Sequence, residues 1–500
     1  MDRRYGNVAV NFMSLTRKKS IQSLLDQASH STLKRTLTAT SLIALGIGAV
    51  IGAGLFVRTA AASAEAAGAS VVLSFLVAAT GCAFAGLCYA EFAAMLPIAG
   101  SAYTYAYATM GEFVAWVIGW ALVLEYALGA ATLSIAWSEY LNNLFGGRIP
   151  FQWCHSPMET SLSGVHGIIN APALLILALL SLVLIKGTQE SATLNSIIVA
   201  IKVSIVLLII ALGWQFINPA NYTPFFVPAS VPGHEGFFAH GWGGVLKGAG
   251  IVFFAFIGFD AVSTAAQETK NPARDMPIGI LGSLVACTLL YVAFGRVLTG
   301  ICNWQEFKIA GKEASVAYAI QHYMPGYHWL ALLVTVAILA GFSSVMLVML
   351  LGQSRVFFSM SNDGLLPKLF CDVHPKFRTP YKSNIVLYFF VGAFGGFIPG
   401  SLAGDLTSIG TLFAFTLVCV GVWILRKREP HRERPFRTPL VPLVPILGMI
   451  VCGAMIISLD TRTQITAFGW MLLGLVVYFA YSRYHSKLNL SEVEADASLK

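Results

Sequence analysis

Apolar runs of about 20 residues recur along most of this chain, and a run of that length crosses the hydrocarbon core of a bilayer. In lipid, every backbone N–H and C=O must find a partner inside the protein, so such a chain folds as packed transmembrane helices. Twelve spans are expected, at about 40–62, 70–97, 112–141, 168–186, 193–217, 245–267, 278–300, 329–358, 383–400, 405–425, 439–459 and 464–482. Only 11% of residues are charged, where a soluble domain carries roughly 25%. Length alone would suggest about three soluble domains. Hydropathy overrides that and gives one polytopic membrane domain. Residues 1–40 are polar and basic and lack the short apolar core of a signal peptide.

Lysine and arginine set the orientation. With the N-terminus inside, 24 of the 32 Lys and Arg fall in inner segments and 6 in outer ones, Arg58 among the latter. The net charge of +8 therefore marks topology toward the anionic inner leaflet and excludes a nucleic-acid patch. The densest run, Arg426 to Arg437, reads as a solvated inner loop.

Two spans are interrupted. Gly46, Gly48, Gly52 and Gly54 stand in the middle of the first, each costing a helix about 1 kcal/mol relative to Ala. A helix that opens there frees backbone groups at membrane depth, which is tolerated only inside protein or along a cavity. Val50–Gly54 therefore reads as half of a binding site. The alternative is a packing face at Gly48 and Gly52, spaced as G-x-x-x-G. A dinucleotide loop is excluded, because the glycines lie inside a membrane-length run instead of following a strand. The sixth span, with Gly248, Gly250 and Gly258 ahead of Asp260, is broken in the same way. Spans one and six are five apart, so a five-span unit repeated in sequence returns upside down. Gly-interrupted spans at matching places in two halves point to a transport site at the repeat interface. The amides of Gly52, Ala53 and Gly54 open the second half-helix of span one, where the dipole favours an anion.

Two charges lie deep in apolar runs. Lys202 stands roughly 12 Å from the inner end of span five at 1.5 Å per residue. Such a group is a functional candidate by default, and burial moves a lysine pKa toward neutrality, where it can exchange protons. A snorkelling lysine is the alternative. Glu125 in span three either faces a ligand or pairs within the bundle, and facing the pocket it would favour cationic substrates. Glu139 and Lys247, near outer ends, read as snorkelling. His155, His166, His234 and His240 read as surface residues in outer loops. The eight cysteines show no metal-ligand spacing, and a disulfide between Cys154 and Cys302, both in outer loops, is left open. No hydrolase elbow, phosphate loop or ligand-spaced histidine cluster appears, so neither enzyme chemistry nor a metal or other cofactor is expected.

The pattern Gly46–Val57 resembles the first helix of the amino acid–polyamine–organocation (APC) superfamily, and Phe253–Asp260 resembles its sixth. Gln267–Pro277 resembles the inner loop that follows. Gly352-Gln-Ser-Arg with Met360–Pro367 resembles the eighth helix and its loop. Together they look most like the bacterial branch of the cationic amino acid transporter family, from about Leu33 to the last span. The resemblance implies an all-α leucine-transporter-like fold: twelve transmembrane helices, a 5+5 inverted repeat and two C-terminal helices. The segments would be a cytoplasmic N-terminal segment at 1–37, a first repeat at 38–217 and an outer loop with the second repeat at 218–425. A basic inner loop with helices 11 and 12 would fill 426–483, and a cytoplasmic tail 484–500.

The resemblance further implies sodium-independent, proton-coupled uptake of an L-amino acid by alternating access, in the plasma membrane or bacterial inner membrane, with both termini cytoplasmic. An exchanger and a non-transporting sensor are the rivals; a sensor would usually add a sizeable soluble domain. The Gly52, Ala53 and Gly54 amides would then take the substrate carboxylate. The carbonyls of Val50, Phe254, Ala255 and Ile257 would take the ammonium. Phe259 would be the outer gate. Lys202 would stand where sodium-coupled relatives hold sodium. Met349 would border the substrate side chain and favour small neutral substrates, against the pull of Glu125.

Overall fold

The computed structural model describes residues 17–19, 36–52, 54–96, 101–161, 163–187, 192–234, 236–308 and 315–488. Ala53, one of the expected amide donors, lies outside them. Among the described residues helices dominate and no β-strand forms; the bridges are isolated, Leu37 with Thr269 and Thr160 with His166.

In chain order the helices are α1 (Ala39–Val50), α2 (Val71–Met95), α3 (Ser101–Thr109), α4 (Glu112–Val123) and α5 (Gly129–Leu144). They continue with α6 (Ala171–Lys186), α7 (Ala192–Gly213), α8 (Gly241–Val252), α9 (Pro272–Ile301) and α10 (Ser315–Tyr323). The last are α11 (His328–Asn362), α12 (Tyr381–Phe397), α13 (Gly400–Arg428), α14 (Leu443–Ser458) and α15 (Thr461–Val477). Among the described residues, seven helical stretches are long and apolar enough to cross a membrane, including Gly54–Met95, Glu112–Leu144 and Pro272–Ile301. Others are shorter, including α1, α6, α14 and Gly241–Phe256.

Two shorter helices are short because they break. Thr38 caps α1 by accepting from the Ser41 N–H. At the far end Ile51 turns extended, with ψ 100°, and the chain resumes at Gly54 in a π-helical turn, Gly54–Arg58. α8 passes into a 3-10 turn, Phe253–Phe256, then an extended Ile257 with ψ 133°. Gly258 follows at φ +111°, a left-handed conformation that a side chain resists. The chain then resumes as a 3-10 segment, Asp260–Glu268.

The halves are tied together at one end. The N–H groups of Thr36 and Leu37 donate to the Glu268 carbonyl at 2.8 and 2.9 Å, and the Lys270 N–H donates to the Leu37 carbonyl at 2.9 Å. α9 backs α1 through small residues: a side chain at Gly279 would meet Leu42, and one at Gly46 would meet Ser283. α13 packs against α2, α5 and α14, filling the centre.

Some charges read as solvated are structural. Arg426 donates to both oxygens of the fully buried Glu91, at 2.9 and 2.8 Å, and Arg434 pairs with it at 3.1 Å. A buried carboxylate needs such partners, so the Arg426–Arg437 loop clamps α2. His234 is buried rather than superficial, its ring on the Ala239 carbonyl at 2.7 Å. Glu139 meets His155 at 3.3 Å, and Lys247 meets Asp460 at 2.7 Å. All eight cysteines are free thiols, so Cys154 and Cys302 are not joined. The two ends of the described chain meet at Asp363. Lys19 pairs with its carboxylate at 2.5 Å, and the Lys487 N–H donates to its carbonyl at 3.1 Å.

Candidate functional site

The two breaks face each other at backbone distance. A Cβ on Gly54 would fall 2.2 Å from the Ala255 Cα, and one on Gly258 would fall 2.9 Å from the Ala49 carbonyl oxygen. Glycine at 54 thus allows two opened backbones to cross, in addition to the access its amide would give a ligand. Gly52 is less confined: a Cβ there would meet only Val345, at 3.4 Å.

Tyr291, from α9, joins the breaks. Its hydroxyl lies 3.0 Å from the Val50 carbonyl and 2.9 Å from the Ala255 carbonyl. One O–H carries one proton, which the two acceptors share. Phe75 and Phe256 flank the ring, with centroids at 5.5 and 5.2 Å. Two of the carbonyls expected to hold an ammonium are thus occupied by a phenol. A third, on Phe254, accepts from the Ile257 N–H at 3.3 Å. Sequence reasoning missed Tyr291, because a tyrosine in an apolar span gives no sign of the carbonyls it will reach.

Lys202 sits where span five passes the first break. It is 5% exposed, and its Nζ donates to the Gly48 carbonyl at 3.2 Å. Gly341 of α11 makes room for it: a Cβ there would meet the lysine Cε at 3.1 Å. Lys202, Gly52, Phe56 and Phe342 border a hollow of about 10 Å³, room for about one water. Lys202 therefore does not snorkel; it substitutes for the partner that Gly48 loses near the end of α1.

Glu125 lies in a π-helical turn, Leu124–Leu128, between α4 and α5. It is fully buried, and neither carboxylate oxygen has a hydrogen-bond partner among the described residues. The Thr411 side chain of α13 is close enough to act on it. Asp260, at the head of the second half of span six, is close enough to act on it electrostatically. One turn along, Met349 of α11 packs on Gly129, its sulfur 2.8 Å from where a Cβ would stand. Gln353, a turn further along α11, is buried, and neither of its amide atoms is hydrogen-bonded among the described residues.

Phe259 lies on the Asp260–Glu268 side of the break, packed between Tyr89 and Phe415 at 6.0 and 5.0 Å. That is the half bound to Leu37.

Beyond the break, Arg58 is buried, 2% exposed, rather than placed in an outer loop. Its guanidinium pairs with Asp405 of α13, and its Nε donates to the Ile251 carbonyl at 3.5 Å. Asp405 also borders a cleft of about 420 Å³ with Glu65, His234, Lys247, Asp460 and Arg462.

Residues 37–481 match the amino acid permease family. The chain belongs to that family. It is a multi-pass membrane protein and a transporter rather than an enzyme, as are its relatives. It is 43% identical over 480 residues to a branched-chain amino acid permease of Bacillus subtilis, covering 95% of this chain and 99% of that one. It is 39% identical to a methylthioribose transporter of the same organism, over 95% and 99% of the two chains. It is also 32% identical to a vacuolar cationic amino acid transporter of Arabidopsis thaliana, covering 83% of this permease and 68% of the relative. The bacterial relatives are thus matched from end to end, the plant transporter over its larger part.

Proposed function

We propose that this permease carries L-amino acids across the plasma membrane, the inner membrane of a bacterium, with protons and without sodium. Twelve crossings in a 5+5 inverted repeat with two added helices, both termini inside, give an alternating-access transporter of the leucine-transporter kind. The segment boundaries are those stated for residues 1–37, 38–217, 218–425, 426–483 and 484–500. The observation that carries the reading is Lys202 Nζ on the Gly48 carbonyl beside an opened helix. A fixed ammonium at that point removes the need for a metal cation there, and its exchangeable proton supplies the coupling.

The substrate carboxylate docks on the amides of Gly52, Ala53 and Gly54. Its ammonium takes the carbonyls of Val50, Phe254, Ala255 and Ile257, displacing the Tyr291 hydroxyl from those it holds. Glu125 and Met349 select the side chain. The relatives are named for branched-chain amino acids, cationic amino acids and a thio-sugar, so selection rests on these few side chains rather than on the fold.

Purified protein in proteoliposomes with an inward proton gradient, and no amino acid inside, tests the coupling. Uptake above equilibrium supports symport; uptake only after preloading with amino acid identifies an exchanger instead. A thermal-shift screen of the twenty amino acids and methylthioribose names the substrate, because a ligand that binds only the folded state raises its apparent stability.

A further inference from the structure

The geometry points to a binding site for one anionic phospholipid along the bilayer face of α9. A groove of about 930 Å³ runs there, walled on one side by Pro435 and Phe436. Ile278, Val285 and Leu289, 41%, 59% and 68% exposed, give it an apolar rim that in a membrane faces acyl chains. Small residues, Gly282 and Ala286, line it between them.

The groove is apolar except at one end. Arg274, in the first turn of α9, lines that end, and Arg437 follows Phe436 in sequence, just past the lining; both are exposed. Neither forms an ion pair or side-chain hydrogen bond among the described residues. From Arg274 to Leu289 is roughly 22 Å at 1.5 Å per residue, against roughly 15 Å for one leaflet of a 30 Å core. An acyl chain fits that length while its phosphate stays level with the Arg274 guanidinium. Guanidinium binds phosphate in paired hydrogen bonds, and a lipid from the inner leaflet brings that phosphate without leaving the membrane.

The site touches the helix that supports the first break. Gly282 is at once groove lining and contact surface: a Cβ there would stand 2.9 Å from the Ile43 Cδ1 of α1. A lipid in the groove therefore braces α9 from behind while α9 supports the first half-helix.

The test needs no knowledge of the transported substrate. Delipidated protein is titrated with micelles containing phosphatidylglycerol or phosphatidylcholine, and unfolding temperature is read. Phosphatidylglycerol should raise the wild-type midpoint several degrees more than phosphatidylcholine. Arg274→Gln with Arg437→Gln should abolish the difference, and Arg274→Lys should keep most of it. Ala286→Phe, which fills the groove, should abolish it from the apolar side and serves if the double variant fails to fold. A wild type that does not distinguish the two lipids overturns the site, as does an Ala286→Phe protein that keeps the full difference.

Discussion

The Lys202 ammonium stands 3.2 Å from the Gly48 carbonyl, linking α7 to the last turns of α1. A neutral replacement leaves that carbonyl without this donor and the hollow without a charge. Lys202→Met should abolish proton-driven accumulation in proteoliposomes while the purified protein remains folded and monodisperse. Wild-type accumulation in that variant would remove Lys202 from the coupling mechanism.

Tyr291 gives a second test. Phenylalanine keeps the ring packing and deletes the hydroxyl shared by Val50 and Ala255. Leaving buried carbonyls short of a donor costs about 1–3 kcal/mol. Tyr291→Phe should lower thermal stability by that order and change substrate affinity in equilibrium binding. Unchanged affinity would show that the hydroxyl does not compete with the ammonium.

The glycines of the first break should part company. Gly54→Ala drives a methyl into the Ala255 backbone and should prevent correct folding, read as loss of monodisperse protein on size exclusion. Gly52→Ala meets only a valine methyl at 3.4 Å and should fold. Any loss of substrate binding in Gly52→Ala then reports on the amide site itself. Normal binding there would move the carboxylate elsewhere.

Met349→Ser opens space beside Gly129, one turn from Glu125. Uptake of arginine or lysine should appear or rise in competition assays, with a stability loss of about 2–5 kcal/mol, as for truncating a buried methionine. An unchanged substrate profile would take Met349 out of selection.

The Arg58–Asp405 pair is buried on both sides, at 2% and 4% side-chain exposure. Asp405→Asn leaves a buried guanidinium uncompensated, a loss of about 3–5 kcal/mol. Arg58→Met with Asp405→Leu removes both charges and should recover much of that in thermal unfolding. A double variant as unstable as the single ones together would show that the two charges do not act as a pair.

The breaks were legible because glycine in a membrane-length run has so few uses: close packing, or an opened helix. Lys202 and Glu125 were legible for a similar reason, since a charge is conspicuous among apolar neighbours. Tyr291 was not, because its role depends on carbonyls that lie up to 241 positions away. Arg58 was misplaced because charge counting assigns a residue by its sequence neighbours, and its partner lies 347 positions on. Phe259 was assigned by pattern alone. Which side of a kink it occupies depends on the left-handed turn at Gly258, which sequence does not orient.

The three backbone bonds between Leu37 and its neighbours and the Glu268–Lys270 stretch yoke two levers at the ends farthest from their fulcrum. Swinging α1 alone would cost roughly 1 kcal/mol for each bond broken, whereas swinging both costs none of them. Under the proposed alternating access, opening toward that face would be a single stroke of a paired arm, and the crevice it uncovers would have both jaws on the same hinge.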